Sequence, residues 1–589
     1  MPADASFLNA VFALLDRGDE AGATRLVEAR LSHDPGDPDA NMTRAMIHGA
    51  HERFNEAAAC LRLALVRVPD DPEAQMMLGN VMVALKGYEE GAKAFASYLR
   101  ACPTDAGAVM GLGQCLISLG RTEEAAAAME RGIEASPDDA NMYGYMASVL
   151  VAIGQVARAM AIVKRGYARL PHATGLLSFI VQNSNFLEGV DPVEHRDLHR
   201  RLCDAWAAHA ARPPARLENT LDPSRTLRVG FLSGDFKLHA CAFFMRSLIP
   251  LLDRRSLSVF CYSTAAAEDA VTSIFKSGAT WRPVSHLDDA SLAATIRADR
   301  IDVLIDCSGH FDGNRLPALQ PRVAPVQCTW LGYPNTTGLA TMDWRIVDAV
   351  TDPPEHDPHL SERAARLPAC FICYTPPKDA PEVSVRSPDE PIVFGSFNRL
   401  DKVTESTLDA WCRVLRAVPG SRMAIKSRMM TGELQDLAKA RFTSRGIEAS
   451  RIVASDYVPD TRSHLSLYQG IDIALDAFPY NGTTTTCEAS WMGVPVVTLL
   501  GNVHRARVGA SINTAVGVTE LIAKNVDDYV TIASSLAQDR PRLTALRSSL
   551  RSRMAASPLC NAPRYARDFE ALLRDLWRQH VASARSGAR

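Results

Sequence analysis

The chain has 589 residues, of which 47% are hydrophobic and 22% charged, and its net charge is −3. This length exceeds what one hydrophobic core supports and predicts three or four domains. The near-neutral charge gives no support for a nucleic-acid partner, and no apolar run reaches the roughly 20 residues of a membrane span.

The compartment is suggested by the N-terminus and the cysteines. The first residues, Met1 to Leu8, include an acid where a signal peptide carries basic residues, and thirteen cysteines are scattered through apolar segments. We therefore expect a cytoplasmic protein. One Cys-x-x-Cys pair, Cys370 and Cys373, lies in a strand-like run, where residues three apart face opposite sides, so we expect no redox or zinc site there.

A repeat occupies the first third of the chain. Prolines recur at intervals of 34 residues, at Pro35, Pro69, Pro103, Pro137 and Pro171. This period is that of the tetratricopeptide repeat. Twelve residues before each proline stands a small residue, where two helices would touch: Ala23, Ala57, Gly91, Ala125 and Ala159. The pattern predicts an α-solenoid of about five helical hairpins over residues 1–176.

Stacked hairpins leave a concave face that commonly binds an extended peptide or another protein. We therefore expect a protein partner on the repeats. The alternative is that the repeats serve only solubility or assembly into a homo-oligomer.

The segment 177–226 is predicted to be a helical cap and connector, because its pattern stays helical but loses the period. The run Ala211 to Arg216, rich in proline and arginine, is predicted as the boundary to a new domain.

Residues 227–388 alternate strand-like and helix-like runs. Apolar strands are predicted at Leu227–Ser233, Leu257–Ser263 and Val303–Cys307, with helices at Ala240–Leu252 and Asp289–Ala298. This alternation is typical of a parallel, doubly wound sheet, in which ligands bind beyond the carboxyl ends of the strands.

Polar residues follow several of these runs. His239, His310 and the loop Gly332–Gly338 each come after a strand-like run, so they could line one rim of the sheet. The alternatives are two hydrogen-bonded structural histidines and a simple turn.

Residues 389–589 repeat the alternation and predict a second sheet, with its first strand at Pro391–Phe397. Asn398, Arg399 and Lys402 follow that strand, and a basic cluster, His504 to Arg507, follows the last one. The segment Arg564–His580 predicts an amphipathic helix that packs back across the first half.

The most informative stretch is Tyr480 to Glu488, which reads as a glycine turn and a helix start after an apolar strand. A helix N-terminus offers unpaired N–H groups to an anion, and the threonines add hydroxyl donors. Glu488, one turn into the helix, could accept the hydroxyls of a ribose. The alternative is a helix whose threonines cap only its own first turn.

These motifs resemble those of the tetratricopeptide-containing protein O-glycosyltransferases, the family of the eukaryotic O-GlcNAc transferase and the plant SPINDLY-type enzyme. The resemblance covers about Phe7 to Trp577, and the threonine run is closer to the SPINDLY type. It implies a GT-B fold of two Rossmann-like lobes, with the acceptor side at 227–388 and the nucleotide sugar at 389–589. It also implies inversion at the anomeric carbon with no bound metal and no cofactor beyond a UDP-, GDP- or CMP-linked sugar.

The resemblance also implies roles for single residues. His239 and Lys402 match catalytic positions. The donor-binding positions are Asn398, Arg399, His464, Thr484, Thr485, Glu488 and Arg507, and those of the sugar and acceptor cleft are His310, Tyr333, Pro334 and Thr337. The sequence departs from the O-GlcNAc transferase at Arg399, where that enzyme has glutamine, and at Thr461 and Leu467, where it has basic residues that contact UDP.

The sequence thus predicts a protein O-glycosyltransferase acting on a Ser or Thr of an acceptor docked by the repeats, with flagellin as a candidate. Two alternatives are an inactive repeat adaptor and a glycosyltransferase with a small or lipid acceptor.

Overall fold

The structure, a computed structural model, describes residues 4–208, 217–384, 386–387, 389–427, 430 and 432–586. The predicted boundary at 211–216 and residue 388 lie outside the described residues. The chain divides into two units, Met1–Leu176 with Thr431–Asp436, and Leu177–Met430 with Leu437–Arg589.

The first unit contains the predicted helical hairpins. Its helices are α1 Ala5–Asp16, α2 Glu20–His33, α3 Pro38–Ala50, α4 Phe54–Arg67, α5 Pro72–Ala84, α6 Tyr88–Ala101, α7 Ala106–Ser118, α8 Thr122–Ala135, α9 Ala140–Ala152 and α10 Val156–Arg169.

The 34-residue period reappears in the backbone of these hairpins. One residue with positive φ lies in the turn inside each hairpin, and an aspartate caps the first helix of each hairpin, as Asp71 does by accepting from the N–H of Ala74. The positive-φ residues are Gly18, Glu52, Lys86, Gly120 and Gly154. The predicted small positions are buried, and a Cβ on Gly91 would lie 2.9 Å from Cys115 Sγ. Close packing of helices therefore explains the small residues.

Residues 177–207 belong to the second unit. Helix α11, Thr174–Asn183, spans the division, and α12 covers Pro192–Ala207. The sequence predicts a helical cap and connector here, and α12 packs on the first α/β lobe, where Cys203 O accepts from Gln320 Nε2 at 2.7 Å. The face of α12 that carries His195, His199, Leu202 and Cys203 is buried in this position.

The first lobe is built on a seven-stranded parallel sheet with the order β3-β2-β1-β4-β5-β6-β7. Its strands are β1 Leu227–Ser233, β2 Leu257–Ser263, β3 Thr280–Pro283, β4 Val303–Asp306, β5 Val326–Trp330, β6 Trp344–Asp348 and β7 Arg363–Leu367. Its helices are α13 Ala242–Met245, α14 Ala270–Gly278, α15 Asp289–Ala298 and α16 Leu316–Leu319.

The second lobe has a six-stranded parallel sheet with the order β10-β9-β8-β11-β12-β13. Its strands are β8 Val393–Ser396, β9 Arg422–Lys426, β10 Ile452–Ser455, β11 Ile473–Leu475, β12 Val496–Leu499 and β13 Ile522–Ala523. Its helices are α17 Glu405–Ala417, α18 Glu433–Thr443, α19 Thr461–Ser466, α20 Thr484–Trp491, α21 Val508–Val516, α22 Val526–Gln538, α23 Arg540–Ala556 and α24 Ala562–Ser586.

Two details of the first lobe differ from prediction. The helix expected over Ala240–Leu252 is one turn, α13, followed by a 3-10 turn at Ile249–Leu251, because Pro250 lacks an N–H and disfavours helix at the residue before it. Cys370 and Cys373 lie beyond the end of β7 and not in a strand. Burial raises the pKa of the Cys373 thiol to about 12.

The prediction for the terminal helix is confirmed. Phe569 of α24 contacts the rings of Phe231 and Trp330 at centroid distances of 6.5 and 5.1 Å, and Tyr565 donates to Phe371 O at 2.6 Å. The chain thus returns from the second lobe and covers one face of the first sheet.

Candidate functional site

The order of strands in the second sheet brings two loops together. β11 lies directly beside β8, with Ala474 opposite Gly395, although the chain runs through β9 and β10 in between. This is the point where the strand order reverses, and in open α/β sheets the crevice at that point binds ligands. The loop with Asn398 and Lys402 and the turn before α20 therefore share one edge.

Asp476 fixes the turn that follows β11. Its Oδ1 accepts from the N–H groups of Ala477 and Gly482 at 2.9 and 2.7 Å, and its Oδ2 accepts from Thr498 Oγ1 at 2.8 Å. Burial raises the pKa of Asp476 to about 6, against the opposing effect of these donors. The carboxylate holds the glycine turn at the end of the strand.

Helix α20 begins without a side-chain cap, because Thr483 at its N-cap makes no such bond. The next threonine hydroxyls point elsewhere: Thr485 Oγ1 donates to Asn398 Oδ1 and Thr486 Oγ1 donates to Gly482 O, each at 3.0 Å. The alternative of a self-capped helix is therefore wrong. The first-turn N–H groups and the positive end of the helix are left for an anion.

Lys402 reaches the same turn from the loop after β8. Its Nζ donates to Asn481 O at 2.9 Å and lies 3.9 Å from the centroid of the Tyr480 ring. Burial lowers the pKa of Lys402 to about 8, while Asp401 and Asp476 oppose that shift. Arg399, mostly exposed, pairs instead with Asp401. A cation and a helix N-terminus thus converge on Tyr480–Thr485.

Glu488 belongs to a second hydrogen-bonded group deeper in the same lobe. Lys426 Nζ donates to His464 Nδ1, which leaves His464 Nε2 to donate to Glu488 Oε2 at 3.0 Å. Tyr468 donates to the same carboxylate at 3.4 Å. Burial lowers the pKa of Lys426 to about 8. The order of donors fixes the tautomer of His464 and orients the predicted ribose-binding acid.

His239 lies in the loop after β1 with its side chain about half exposed. Its Nδ1 lies 3.2 Å from Asp235 Oδ2, and the N–H of Cys241 donates to Nδ1 at 3.3 Å. Ligand atoms of Asp235, His239 and Cys241 lie within 4.8 Å of one another, a spacing at which a metal ion could bind. Burial keeps the pKa of the Cys241 thiol well above its usual range, so this thiol is neutral.

The Gly332–Gly338 loop is arranged differently from the prediction of an open cleft. Tyr333, Pro334 and Thr337 are buried, and so is His310, whose Nε2 bonds the carbonyl of Thr337 at 2.6 Å. The Tyr333 hydroxyl accepts from Asn185 Nδ2 at 2.8 Å and lies 2.7 Å from His199 Nε2. These side chains join the first lobe to α12 instead of lining an open cleft.

Arg507 is also used internally. Its Nε donates to Val350 O at 2.6 Å and its Nη1 to Gly501 O at 2.8 Å. His504 Nδ1 lies 2.5 Å from Asp352 Oδ2, which ties the second lobe to the first. Arg507 thus bonds across the two lobes, and its implied role in phosphate binding stays a prediction.

The structure thus brings together Asn398, Lys402, Thr484, Thr485, His464 and Glu488 in the second lobe. The sequence predicted no site role for Lys426, Tyr468 or Asp476, and it named Arg505 only within the basic cluster His504 to Arg507. Lys426 ends β9, and Asp476 directly follows the apolar strand predicted before Tyr480. Both therefore lie at carboxyl ends of parallel strands, where ligands bind. Among the described helices, none is long and apolar enough to cross a bilayer.

Helical repeats followed by two parallel α/β lobes, the second with an uncapped helix at its switch point, give the architecture of the GT-B type. Comparison with known proteins supports this assignment. Residues 194–375 and 381–569 match Glycosyl transferase family 41, and residues 42–106 and 83–148 match tetratricopeptide repeats. The chain belongs to this family of tetratricopeptide-containing glycosyltransferases.

Among curated relatives, the probable UDP-N-acetylglucosamine–peptide N-acetylglucosaminyltransferase SPINDLY of Arabidopsis thaliana is 40% identical over 377 residues, which are 62% of this chain and 41% of that protein. The Caenorhabditis elegans UDP-N-acetylglucosamine–peptide N-acetylglucosaminyltransferase is 25% identical over 473 residues. The chain spans about two fifths of the length of these relatives.

A solved structure of a Thermobaculum terrenum O-GlcNAc transferase mutant is matched over nearly all of its own chain. It is 30% identical, with a TM-score of 0.77 over 87% of this chain and 98% of that one. The predicted fold is thereby confirmed.

Proposed function

We propose that this protein is an O-glycosyltransferase that moves a sugar from a nucleotide sugar to a Ser or Thr of a protein acceptor. The observation that carries the proposal is the convergence of Lys402 and the uncapped N-terminus of α20 on the Tyr480–Thr485 turn. This arrangement suits the phosphate of a leaving nucleotide.

In the proposed reaction, the acceptor oxygen bonds to the anomeric carbon while the bond from that carbon to the donor phosphate breaks. Negative charge grows on the leaving phosphate oxygen. Lys402 and the first-turn N–H groups of α20 are fixed before the reaction and stabilise that charge without reorganisation. Glu488, oriented by His464, is proposed to accept the ribose hydroxyls.

The acceptor hydroxyl also loses a proton, and His239 is the proposed base. A base role needs the tautomer in which Nδ1–H donates to Asp235 Oδ2 in place of the bond from Cys241 N–H, because only that tautomer leaves the Nε2 lone pair free to take the proton. Attack from the face opposite the phosphate inverts the anomeric centre. We propose that no metal is needed, since fixed donors already serve the leaving group; activity unchanged by EDTA would support this, and loss restored by a divalent ion would point to the Asp235, His239 and Cys241 cluster.

The donor base is open to a direct test. The names of the relatives specify UDP-N-acetylglucosamine for those proteins, and we take a UDP-sugar as the first donor to try. Because Thr461 and Leu467 replace basic residues expected to contact UDP, GDP- and CMP-linked sugars belong in the same panel.

We further propose that the repeats bind the protein acceptor, with flagellin as the first candidate, and that the reaction takes place in the cytoplasm. All thirteen cysteines are free thiols, which suits a reducing compartment.

The test is the intact mass of candidate acceptors, flagellin included, from cells with the wild-type protein or with Lys402→Ala. We expect a discrete sugar mass on the acceptor with the wild type. Lys402→Ala should reduce the transfer rate by about a thousandfold, the upper range for loss of one charge-stabilising donor. Lys524→Ala, a change at an exposed lysine on the same lobe, is the matched control and should transfer normally.

Nucleotide binding separates this function from that of an inactive adaptor. The wild type should bind UDP, GDP or CMP at micromolar concentration, and Glu488→Ala should weaken that binding. An adaptor with a dead cleft would bind none of the three, and full transfer by Lys402→Ala or Glu488→Ala would show that the site is assigned wrongly.

A further inference from the structure

Arg505 is a buried cation for which the described residues supply no partner. It lies in the turn His504–Ala506 between β12 and α21, and its relative exposure is 3%. No described carboxylate is within ion-pair distance of its guanidinium, no described residue accepts a hydrogen bond from its side chain, and its Nε is buried without an acceptor. Leaving a charge in this state costs free energy.

Other buried arginines of the second unit show the usual arrangement. Arg547, 1% exposed, donates to the carbonyls of Ile471, Asp472 and Ser384. Arg345, 3% exposed, donates to the carbonyls of Tyr333 and Asn335. Carbonyls thus accept from the terminal nitrogens of these two guanidiniums, although their Nε atoms are also buried without an acceptor, whereas no described residue accepts from any nitrogen of Arg505.

The side chains around Arg505 are either neutral or, in the case of Asp352, already paired with another residue. It lines a cavity with His195, Asn335, Asp352 and His356, and Asp352 is bound to His504. Burial lowers the pKa of Arg505 to about 10, and burial also keeps His195 neutral by lowering its pKa to about 3. None of these residues neutralises the Arg505 guanidinium.

Arg505 is also joined to the proposed phosphate site. Its carbonyl accepts from the N–H of Asn481 at 2.9 Å, and the carbonyl of Asn481 accepts from Lys402. Its charge opposes the burial-driven rise in the pKa of Tyr480, whose ring lies beneath Lys402 Nζ. The backbone of Arg505 and the side chain of Lys402 therefore both bond Asn481, and the charges of both lie near Tyr480.

We propose that Arg505 binds an anionic group of the nucleotide-sugar donor, either a phosphate oxygen or a carboxylate on the sugar. The inference rests on the proposed function, because it takes the Tyr480–Thr485 turn as the donor site. A planar guanidinium pairs with both groups through two parallel N–H donors. The bound anion would supply the partner that the protein lacks.

The experiment compares Arg505→Met with Arg505→Lys and with Arg547→Met, a matched loss of a buried arginine in the same lobe. Without ligand, Arg505→Met should melt at the wild-type temperature or above it, because it removes an unpaired charge. Arg547→Met should melt several degrees lower, because it leaves three carbonyls without donors. A fall in Arg505→Met as large as that in Arg547→Met, with all affinities unchanged, would make Arg505 a structural residue and overturn the proposal.

Affinities then identify the source of the anion. If Arg505 binds phosphate, Arg505→Met should lower the affinity for UDP, GDP or CMP at least tenfold. Arg505→Lys should restore part of that affinity. If it binds a sugar carboxylate, nucleotide affinity should stay constant while the preference for UDP-glucuronate over UDP-glucose, which differ at that carboxylate, is lost. Unchanged values for every probe would overturn the proposal.

The proposed function can fail separately. If the wild type binds none of the nucleotides, the donor assignment fails, and sodium pyrophosphate tests the anion site alone. A rise in melting temperature with pyrophosphate in the wild type but not in Arg505→Met would then support the site, and no difference between the two would overturn it.

Discussion

The two glycine- and threonine-rich loops of this protein look alike in sequence but are used in opposite ways. In the first lobe, Glu362 accepts from the hydroxyls of Thr336 and Thr337 and from the N–H of Thr337, so the loop is closed internally. In the second lobe, Thr485 bonds the side chain of Asn398 and α20 keeps an uncapped end. The comparison teaches that threonine hydroxyls are bonded within the protein in both loops, and that only the uncapped helix of the second loop leaves N–H donors for a ligand.

The surroundings of the glycines show the same difference. A Cβ on Gly338 would lie 2.4 Å from the His199 carbonyl carbon, in the backbone of α12. A Cβ on Gly482 would instead meet the hydroxyl of Thr485 at 2.4 Å, and that group is a side-chain tip. The first loop needs glycine because the backbone of α12 packs against it. The second needs glycine because the hydroxyl of Thr485 lies close to it.

The largest expected effect that would sharpen this comparison is that of Gly338→Ala. The residue has φ +76° and no room for a Cβ, so the change should destabilise the protein by about 3 kcal/mol or more. Gly446→Ala is the matched control, with φ +79° and nothing within 4 Å, and should cost about 1 kcal/mol by thermal or denaturant unfolding. Equal losses in the two variants would show that the first loop is not tightly packed.

Tyr333→Phe should come next, with a loss of about 2 kcal/mol, because Asn185 and His199 would lose the hydroxyl they share. Nucleotide affinity, measured by calorimetry on the folded variant, should not change. A strong loss of nucleotide affinity with normal stability would restore Tyr333 to the ligand site and break the comparison.

Thr485→Val should show the reverse pattern. It removes the hydroxyl that bonds Asn398 at 3.0 Å, so the affinity for the nucleotide should fall about tenfold, with stability changed by less than about 1 kcal/mol. Thr531→Val, on the exposed face of α22, is the control and should bind normally. A Thr485 variant that unfolds readily but binds normally would contradict an open second loop.

The smallest effect concerns pH. With a pKa of about 8, Lys402 is mostly protonated at pH 7 and mostly neutral at pH 8.5, and only the protonated form attracts phosphate. Nucleotide affinity should therefore fall about fourfold over this range as pH rises. Lys402→Arg should flatten the profile, and any slope that remains would report Lys426, whose pKa is also about 8. A wild-type profile that is flat from pH 7 to 8.5 would show that Lys402 does not contact the phosphate.

The sequence by itself determined the elements with strong periodicity. Five copies of a 34-residue period predicted the helical hairpins, and alternating runs predicted the parallel sheets, because both signals come from local packing faces. Strands β3, β6, β7 and β13 escaped prediction, since short strands carry little periodicity of their own. The Tyr480–Glu488 turn was found because a glycine turn between a strand and a helix has a local signature.

Only the tertiary structure decided which polar residues are free to bind. Tyr333, Thr337, His310 and Arg507 are bound within the protein by partners distant in sequence, such as His199 and Val350. Arg505, beside Arg507 in sequence, was left without a partner among the described residues. Local sequence shows which groups can donate, but whether a donor is satisfied depends on segments that only the fold brings together.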